Sequence, residues 1–148
     1  MLKQTLALGA MLLSTSIFAE TSYICVADIG AALFFDKKTN TWQGTGISNP
    51  TKKYIISKPD KKFGDKFQWV ITEVGDDNPF NFCEDDFYEN GQLYCDDFYY
   101  VMVNRVNGRF LLIYPRGYWS DNLNAKEGEI GRQGDNTPYM LAGKCSPI

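Results

Sequence analysis

The stretch Phe98-Tyr99-Tyr100-Val101-Met102-Val103-Asn104-Arg105-Val106-Asn107-Gly108-Arg109-Phe110-Leu111-Leu112-Ile113-Tyr114 decides the fold. Two β-rich runs, 98–106 and 109–114, bracket Asn107-Gly108. That dipeptide accepts the positive φ angles of a two-residue hairpin turn better than almost any other. Such a turn sets Val106 opposite Arg109, Asn104 opposite Leu111 and Met102 opposite Ile113. The chain therefore contains at least one antiparallel hairpin rich in β-branched and aromatic residues.

Similar signals extend in both directions. Strands are expected over 23–27, 31–35, 41–44, 53–57, 67–74 and 139–143. Asp36-Lys37-Lys38-Thr39-Asn40 reads as a hairpin loop, with an Asp at its opening and an Asn able to adopt positive φ. Lys58-Pro59-Asp60 ends the fourth of these strands, because proline removes a ladder donor. Residues 67–74 alternate, placing Phe67, Trp69 and Ile71 on one face. No amphipathic helix of useful length occurs; Gly30 and the aromatic residues weaken a helical turn over 29–35. Residues 120–138 are polar and glycine-rich and read as a long exposed loop. The expectation is an all-β domain of seven to nine short strands, a small antiparallel meander barrel or sandwich. Its core should draw on Phe34 or Phe35, Phe67, Trp69, Phe98 and Phe110.

The first residues set the compartment. Lys3 precedes an uncharged, mostly apolar run over 5–18, followed by Ala19, Glu20 and a first cysteine, Cys25. This order is that of a secretory signal peptide cut after Ala19. The run is shorter than the roughly 20 residues of a membrane-spanning helix. Cys25 lies too far behind it for a lipoprotein anchor. Residues 1–19 are therefore expected to be a signal peptide and residues 20–148 a single β domain, periplasmic or secreted. No membrane span should remain after cleavage.

Composition excludes several chemistries. The chain has no histidine. Serine or cysteine nucleophiles paired with histidine are therefore excluded, as are histidine-based metal sites. Removing residues 1–19 takes Lys3 and no acid, so the domain is one unit more negative than the −3 of the whole chain. An acidic domain without a basic run is a poor partner for nucleic acid. No cofactor or metal is called for.

An exported chain with four cysteines should hold two disulfides. Three pairings exist, and the preferred one is Cys25–Cys145 with Cys83–Cys95. The first would clasp the two ends of the domain. The second would close a short loop around Glu89-Asn90-Gly91-Gln92. With a two-residue turn at Asn90-Gly91, Cys95 faces Asp86. The bridge to Cys83 therefore requires a bulge or an irregular loop before Phe87.

Two kinds of side-chain cluster remain as candidate sites. Acids gather at Asp76-Asp77, Glu84-Asp85-Asp86 with Glu89, and Asp96-Asp97. From Asp86 to Asp97 the spacing has a faint calcium-loop character, which Tyr88 breaks and Cys95 constrains. A glycosidase pair would have to come from separate strands, because neighbours on one strand face opposite ways. Tyr114-Pro115-Arg116-Gly117-Tyr118-Trp119-Ser120-Asp121 is the second cluster. Proline and glycine end the strand there, leaving Arg116, Tyr118, Trp119 and Asp121 as candidate binding residues. Residue types of this kind anchor contacts with proteins, and aromatic platforms suit carbohydrates. The competing reading is a hydrophobic plug closing a barrel end.

Several segments together carry a resemblance: Tyr23-Ile24-Cys25-Val26-Ala27-Asp28, Phe35-Asp36-Lys37-Lys38-Thr39-Asn40-Thr41-Trp42, Cys83 to Cys95 with Gly91-Gln92-Leu93, Asn107-Gly108-Arg109-Phe110-Leu111, and Gly143-Lys144-Cys145. In these the chain resembles a group of short exported proteobacterial proteins, which implies a periplasmic β protein and no particular activity. It is also similar, more thinly, to periplasmic inhibitors of c-type lysozyme. Those are small β-barrels that begin near Tyr-x-Cys and use a disulfide. Their inhibitory Ser-Gly-x-x-Tyr loop has no counterpart here, since the chain contains no Ser-Gly. The functional expectation is a non-enzymatic protein that binds an extracytoplasmic protein or carbohydrate. A carboxylate-dependent, glycosidase-like hydrolase and a lysozyme-inhibitor-like protein are the alternatives.

Overall fold

A computed structural model describes residues 22–118 and 136–148. The signal peptide expected over 1–19, most of the loop at 120–138, and Trp119 and Asp121 lie outside the described residues. Nine strands follow in order: β1 (Tyr23–Asp36), β2 (Thr41–Ser48), β3 (Lys53–Ser57), β4 (Trp69–Glu73), β5 (Asn81–Cys83), β6 (Gln92–Asp96), β7 (Tyr100–Asn104), β8 (Arg109–Tyr114) and β9 (Tyr139–Pro147). A single 3-10 turn, Lys61–Phe63, precedes β4. The sheet runs β5-β4-β3-β1-β9-β8-β7-β6, all antiparallel, with β2 paired to the far half of β1. Its two end strands, β5 and β6, are bridged by Cys83–Cys95 with Cα atoms 4.5 Å apart. The sheet is thus a nearly closed barrel, which decides between barrel and sandwich.

The expected strands at 23–27 and 31–35 are one continuous strand. A bulge between Ala27 and Ile29 interrupts its pairing with β9. The extra residue, Asp28, switches which side chains face inward. Cys25 and Ala27 point into the core before it, and Ile29, Ala31 and Leu33 point outward after it. That switch hides the strand's alternation from a simple pattern reading.

The Asn107-Gly108 hairpin exists in a shifted register. Asn104 stands opposite Arg109 and Met102 opposite Leu111, two residues from the expected pairing. The Asn104 side chain causes the shift. Its Oδ1 accepts hydrogen bonds from the N–H of Val106 (2.9 Å) and Asn107 (3.2 Å), drawing Arg105 and Val106 into the turn. Gly108 supplies the positive φ, 63°. A shift of two keeps every side chain on its face, so the core is unaffected.

The interior is filled by side chains, as an eight-strand ring permits. Ile56, Trp69, Ile71, Leu93, Val101, Val103, Phe110, Leu112 and Leu141 are buried with both disulfides. Cys25 and Cys145 are direct cross-strand partners on β1 and β9, so the expected clasp lies inside the barrel. Gly143 lets β1 and β9 approach closely; a Cβ there would collide with Val26 O and the Phe110 ring. Three core expectations fail: Phe34 is exposed and Phe35 only half-buried on the ribbon, Phe98 is exposed, and Phe67 is half-buried against Phe82 on the outside.

No ladder joins β5 to β6. The seam is held by Cys83–Cys95 and by Asn81, which is fully buried. Asn81 Oδ1 accepts from the N–H of Phe98 (3.1 Å) and Tyr99 (3.0 Å), and its Nδ2 donates to Tyr99 O (3.1 Å). The irregular loop that the bridge requires is present. Tyr88 N–H donates to Gln92 O, and Gly91 N–H to Tyr88 O, both at 2.8 Å. Replacing Asn81 by alanine leaves three part-buried backbone groups without their side-chain partner and should cost about 1–3 kcal/mol in urea unfolding. Removing the Cys83–Cys95 bridge should cost about 2–3 kcal/mol, and the two losses should not add, because both open one seam.

Candidate functional site

The outer face of the barrel carries the feature that sets this molecule apart. Side chains alternate along each strand, and the cross-strand register aligns those that face outward. One row reads Tyr94, Met102, Leu111, Ala142, Ile29. The next reads Asp96, Tyr100, Ile113, Met140, Ala31. Apart from Asp96 at its corner, this band over β6, β7, β8, β9 and β1 has no charge. Strands about 4.8 Å apart make it about 20 Å wide. Ile29 is 63% exposed, Tyr100 51%, Tyr94 45% and Met140 42%. An exposed apolar surface of this extent marks an interaction site. A polar row borders it, in which Asn104, Arg109, Lys144, Val26 and Lys53 are successive partners.

At one end the band deepens into a groove of about 310 Å³, lined by Leu33, Gly44, Ile113, Pro115, Pro138 and Met140 among others. The chain ends of β8 and β9 form one wall and the β1–β2 ribbon the other. Of the four expected binding residues, two are described, and they flank this region without converging. The Arg116 guanidinium lies 4.1 Å from the centre of the Phe98 ring, a cation–π contact. Tyr118 meets the Trp42 ring edge-on at 5.5 Å, and Trp42 also packs on Phe35.

A plug does close the barrel end nearest these residues, and Tyr114 of the same run is one of its rings. Tyr99, Tyr114 and Tyr139 stack with centroids 5.0 to 6.4 Å apart, and Tyr54 packs on Phe80. Above them is a 190 Å³ recess that also takes in Glu73 and Asp76. Burial, then the Glu73 and Tyr99 charges, pushes the Tyr54 hydroxyl well above the ordinary phenol range. Burial and a hydrogen bond with Tyr99 do the same to Tyr139. Both phenols stay protonated at neutral pH. A protonated phenol is neither a base nor a nucleophile.

Several of the acids are engaged in pairs and turns. Glu73 pairs with Lys52, Glu84 with Lys66, and Asp60 with Lys62. Asp85 accepts from the Tyr88 hydroxyl, and Asn90 bonds Gln92, so the calcium-like spacing from Asp86 onward serves a turn. Among the described residues, no group of three or more Asp, Glu or Cys side chains is placed to hold a metal ion. Asp86 closes the opposite barrel end, where Tyr23, Trp69 and Phe87 cluster. It accepts from the Trp69 indole N–H and the Phe87 N–H, both at 2.7 Å.

The outward apolar residues were missed in the sequence, although a signal was present. Over 100–103 and 110–113 both alternating sets are apolar, which in an antiparallel hairpin means that the outer face is apolar too. Comparisons with family models, curated proteins and solved structures find no match to this chain.

The Asp86 carboxyl yields a pH test. Burial works to raise its pKa, but the bonds from Trp69 and Phe87 and the nearby Lys58 hold it below the ordinary value. A carboxyl lowered in the folded state adds stability above its unfolded pKa, about 3.9, which is lost as the pH falls through the folded value. The side chain is more than half exposed, so the effect is modest. Asp86→Asn should flatten the fall in urea midpoint between about pH 5 and pH 2. An unchanged acid slope would show that the group is not stabilising.

Proposed function

We propose that this chain is an extracytoplasmic, non-enzymatic binding protein whose contact surface is the outer apolar band over β6–β9 and β1. The observation that carries this reading is the pair of adjacent cross-strand rows of outward-facing, exposed or half-buried side chains, apolar but for Asp96 at one corner. A surface that is broad and shallow fits the face of a protein better than a small molecule, which needs a concave site. The filled interior leaves the barrel no central ligand chamber. Arg116 and Tyr118 form the rim at the grooved end, where polar and aromatic groups exclude water from an apolar centre.

Two buried disulfides favour an oxidising compartment, in keeping with the apolar run over 5–18 being an export signal. Among the described residues no helix is long and apolar enough to cross a membrane. Strands β3 to β8 run three to six residues, short of the roughly 9–11 that crossing by strands requires. Against the hydrolase reading stands the engagement of Glu73, Glu84, Asp85 and Asp86 in ion pairs and turns. The Asp36 and Asp86 carboxyls both sit below their ordinary range, whereas a general acid needs a raised one.

A photo-crosslinking residue at Tyr100 or Met140 should give a discrete adduct with another protein in the extracytoplasmic fraction. The same residue at Lys61, beside β4 and β5, should give none. Ile113→Glu added to the Tyr100 probe should reduce the adduct at least about tenfold with the fold intact, since a buried charge opposes association. Turnover that disappears on changing one carboxylate would replace this reading with the hydrolase.

A further inference from the structure

Among the described residues, the outer edge of the β1–β2 ribbon is an open sheet edge. Leu33 donates its N–H to Pro138 O at 2.9 Å, on the β9 side of β1. Backbone groups along a strand point alternately to the two sides, so Leu33 and its partner Gly44 form a non-hydrogen-bonded pair. Gly44 therefore turns its N–H and C=O away from β1, and so do Trp42, Gly46 and Ser48. Among the described residues only the Thr45 hydroxyl, 3.3 Å from Gly46 O, bonds any of these groups.

Sheet edges are usually guarded by charge, proline or a bulge. From Thr41 to Ser48 there is no charge and no proline, and the register with β1 is unbroken. Asn40 and Asn49, with φ of 56° and 50°, bound the strand at its two ends.

We propose that this edge pairs antiparallel with the same edge of a second copy of the chain, centred on Gly44. In that register Gly44 meets its own counterpart, Gln43 meets Thr45 of the second copy, and Trp42 meets Gly46 of the second copy. The residues that turn outward meet in hydrogen-bonded pairs with two bonds each, about six bonds in all. An aromatic side chain opposite a glycine compensates the weakness of glycine in a strand. The space is available, because a Cβ at Gly46 would meet nothing within 4 Å. Moving the register by two residues one way sets Gly44 against Gly46 twice and takes Trp42 off Gly46, and the other way shortens the overlap. The strand is neutral, so no like charges oppose one another across the two-fold axis. The contact is smaller than the roughly 800 Å² per partner of a standard interface, so the dimer is weak and concentration-dependent. It also runs the outer faces of the two copies together.

The test uses the disulfide-intact protein. Sedimentation equilibrium up to about 1 mM should show a monomer passing to a dimer. Gly44→Cys should cross-link into dimers under mild oxidation, and Gly46→Cys should do so at least about tenfold more slowly, because only residue 44 meets its own copy. A side chain at position 44 is tolerated, since its Cβ lies 3.9 Å from Leu33 Cδ2. Gly44→Lys should therefore fold and remain monomeric. A wild-type monomer throughout the range, a Gly44→Lys dimer as strong as wild type, or faster cross-linking at residue 46 would each overturn the proposal. Failure of this proposal is distinguishable from failure of the apolar-band reading, because in the wild-type background an adduct from Tyr100 with another protein differs in mass from a dimer of this chain.

Discussion

Strands β5 and β6 stand side by side with no ladder between them, and the barrel's closure falls on Asn81 and the Cys83–Cys95 bridge. The Asn81 amide substitutes for the missing ladder by answering three backbone groups of Phe98 and Tyr99 in a fully buried position. A buried backbone group without a partner is costly, so the amide is held in place by the cost of losing it. The disulfide fixes the separation of the two strands beside it. Once the seam is fixed, the sheet can curl, and the inward side chains meet across the barrel.

The outer band follows from that closure. In an open sheet, the outward apolar residues of β7 and β8 would be candidates for burial under a second layer. Here the inward face is filled from within the barrel, and among the described residues no second layer covers the other face. The bulge at Asp28 extends the band by turning Ile29, Ala31 and Leu33 outward to join Ala142 and Met140. Beyond the barrel rim the same strand continues as the ribbon whose edge is β2. One irregularity therefore contributes both to the apolar surface and to the exposed edge.

Much of the architecture could be read locally. The strands at 53–57 and 109–114 have the bounds that their composition indicates, because Pro59, Gly108 and Pro115 limit them in the chain itself. The disulfide pairing followed from loop lengths and compartment. The short strand at 81–83 was not legible, because Asn81 and Cys83 are inward residues that only tertiary contacts make strand-like. The hairpin register was also misread, since the Asn104 side chain competes with the turn for backbone N–H groups. At the candidate site, the segment from Tyr114 to Tyr118 was correctly placed near a barrel end. Arg116 and Tyr118, however, dock on different rings, Phe98 and Trp42, which come from distant parts of the sequence.

The sequence by itself determined the all-β class, the four cysteines that allow two bridges and the absence of histidine chemistry. These depend on residue type and local spacing, which are present in the chain before it folds. Only the tertiary structure decided that the sheet closes as a barrel, and which of two apolar faces is buried. That choice depends on a bulge, a buried amide and strand order. Each is a relation between segments far apart in sequence, and no local pattern encodes it.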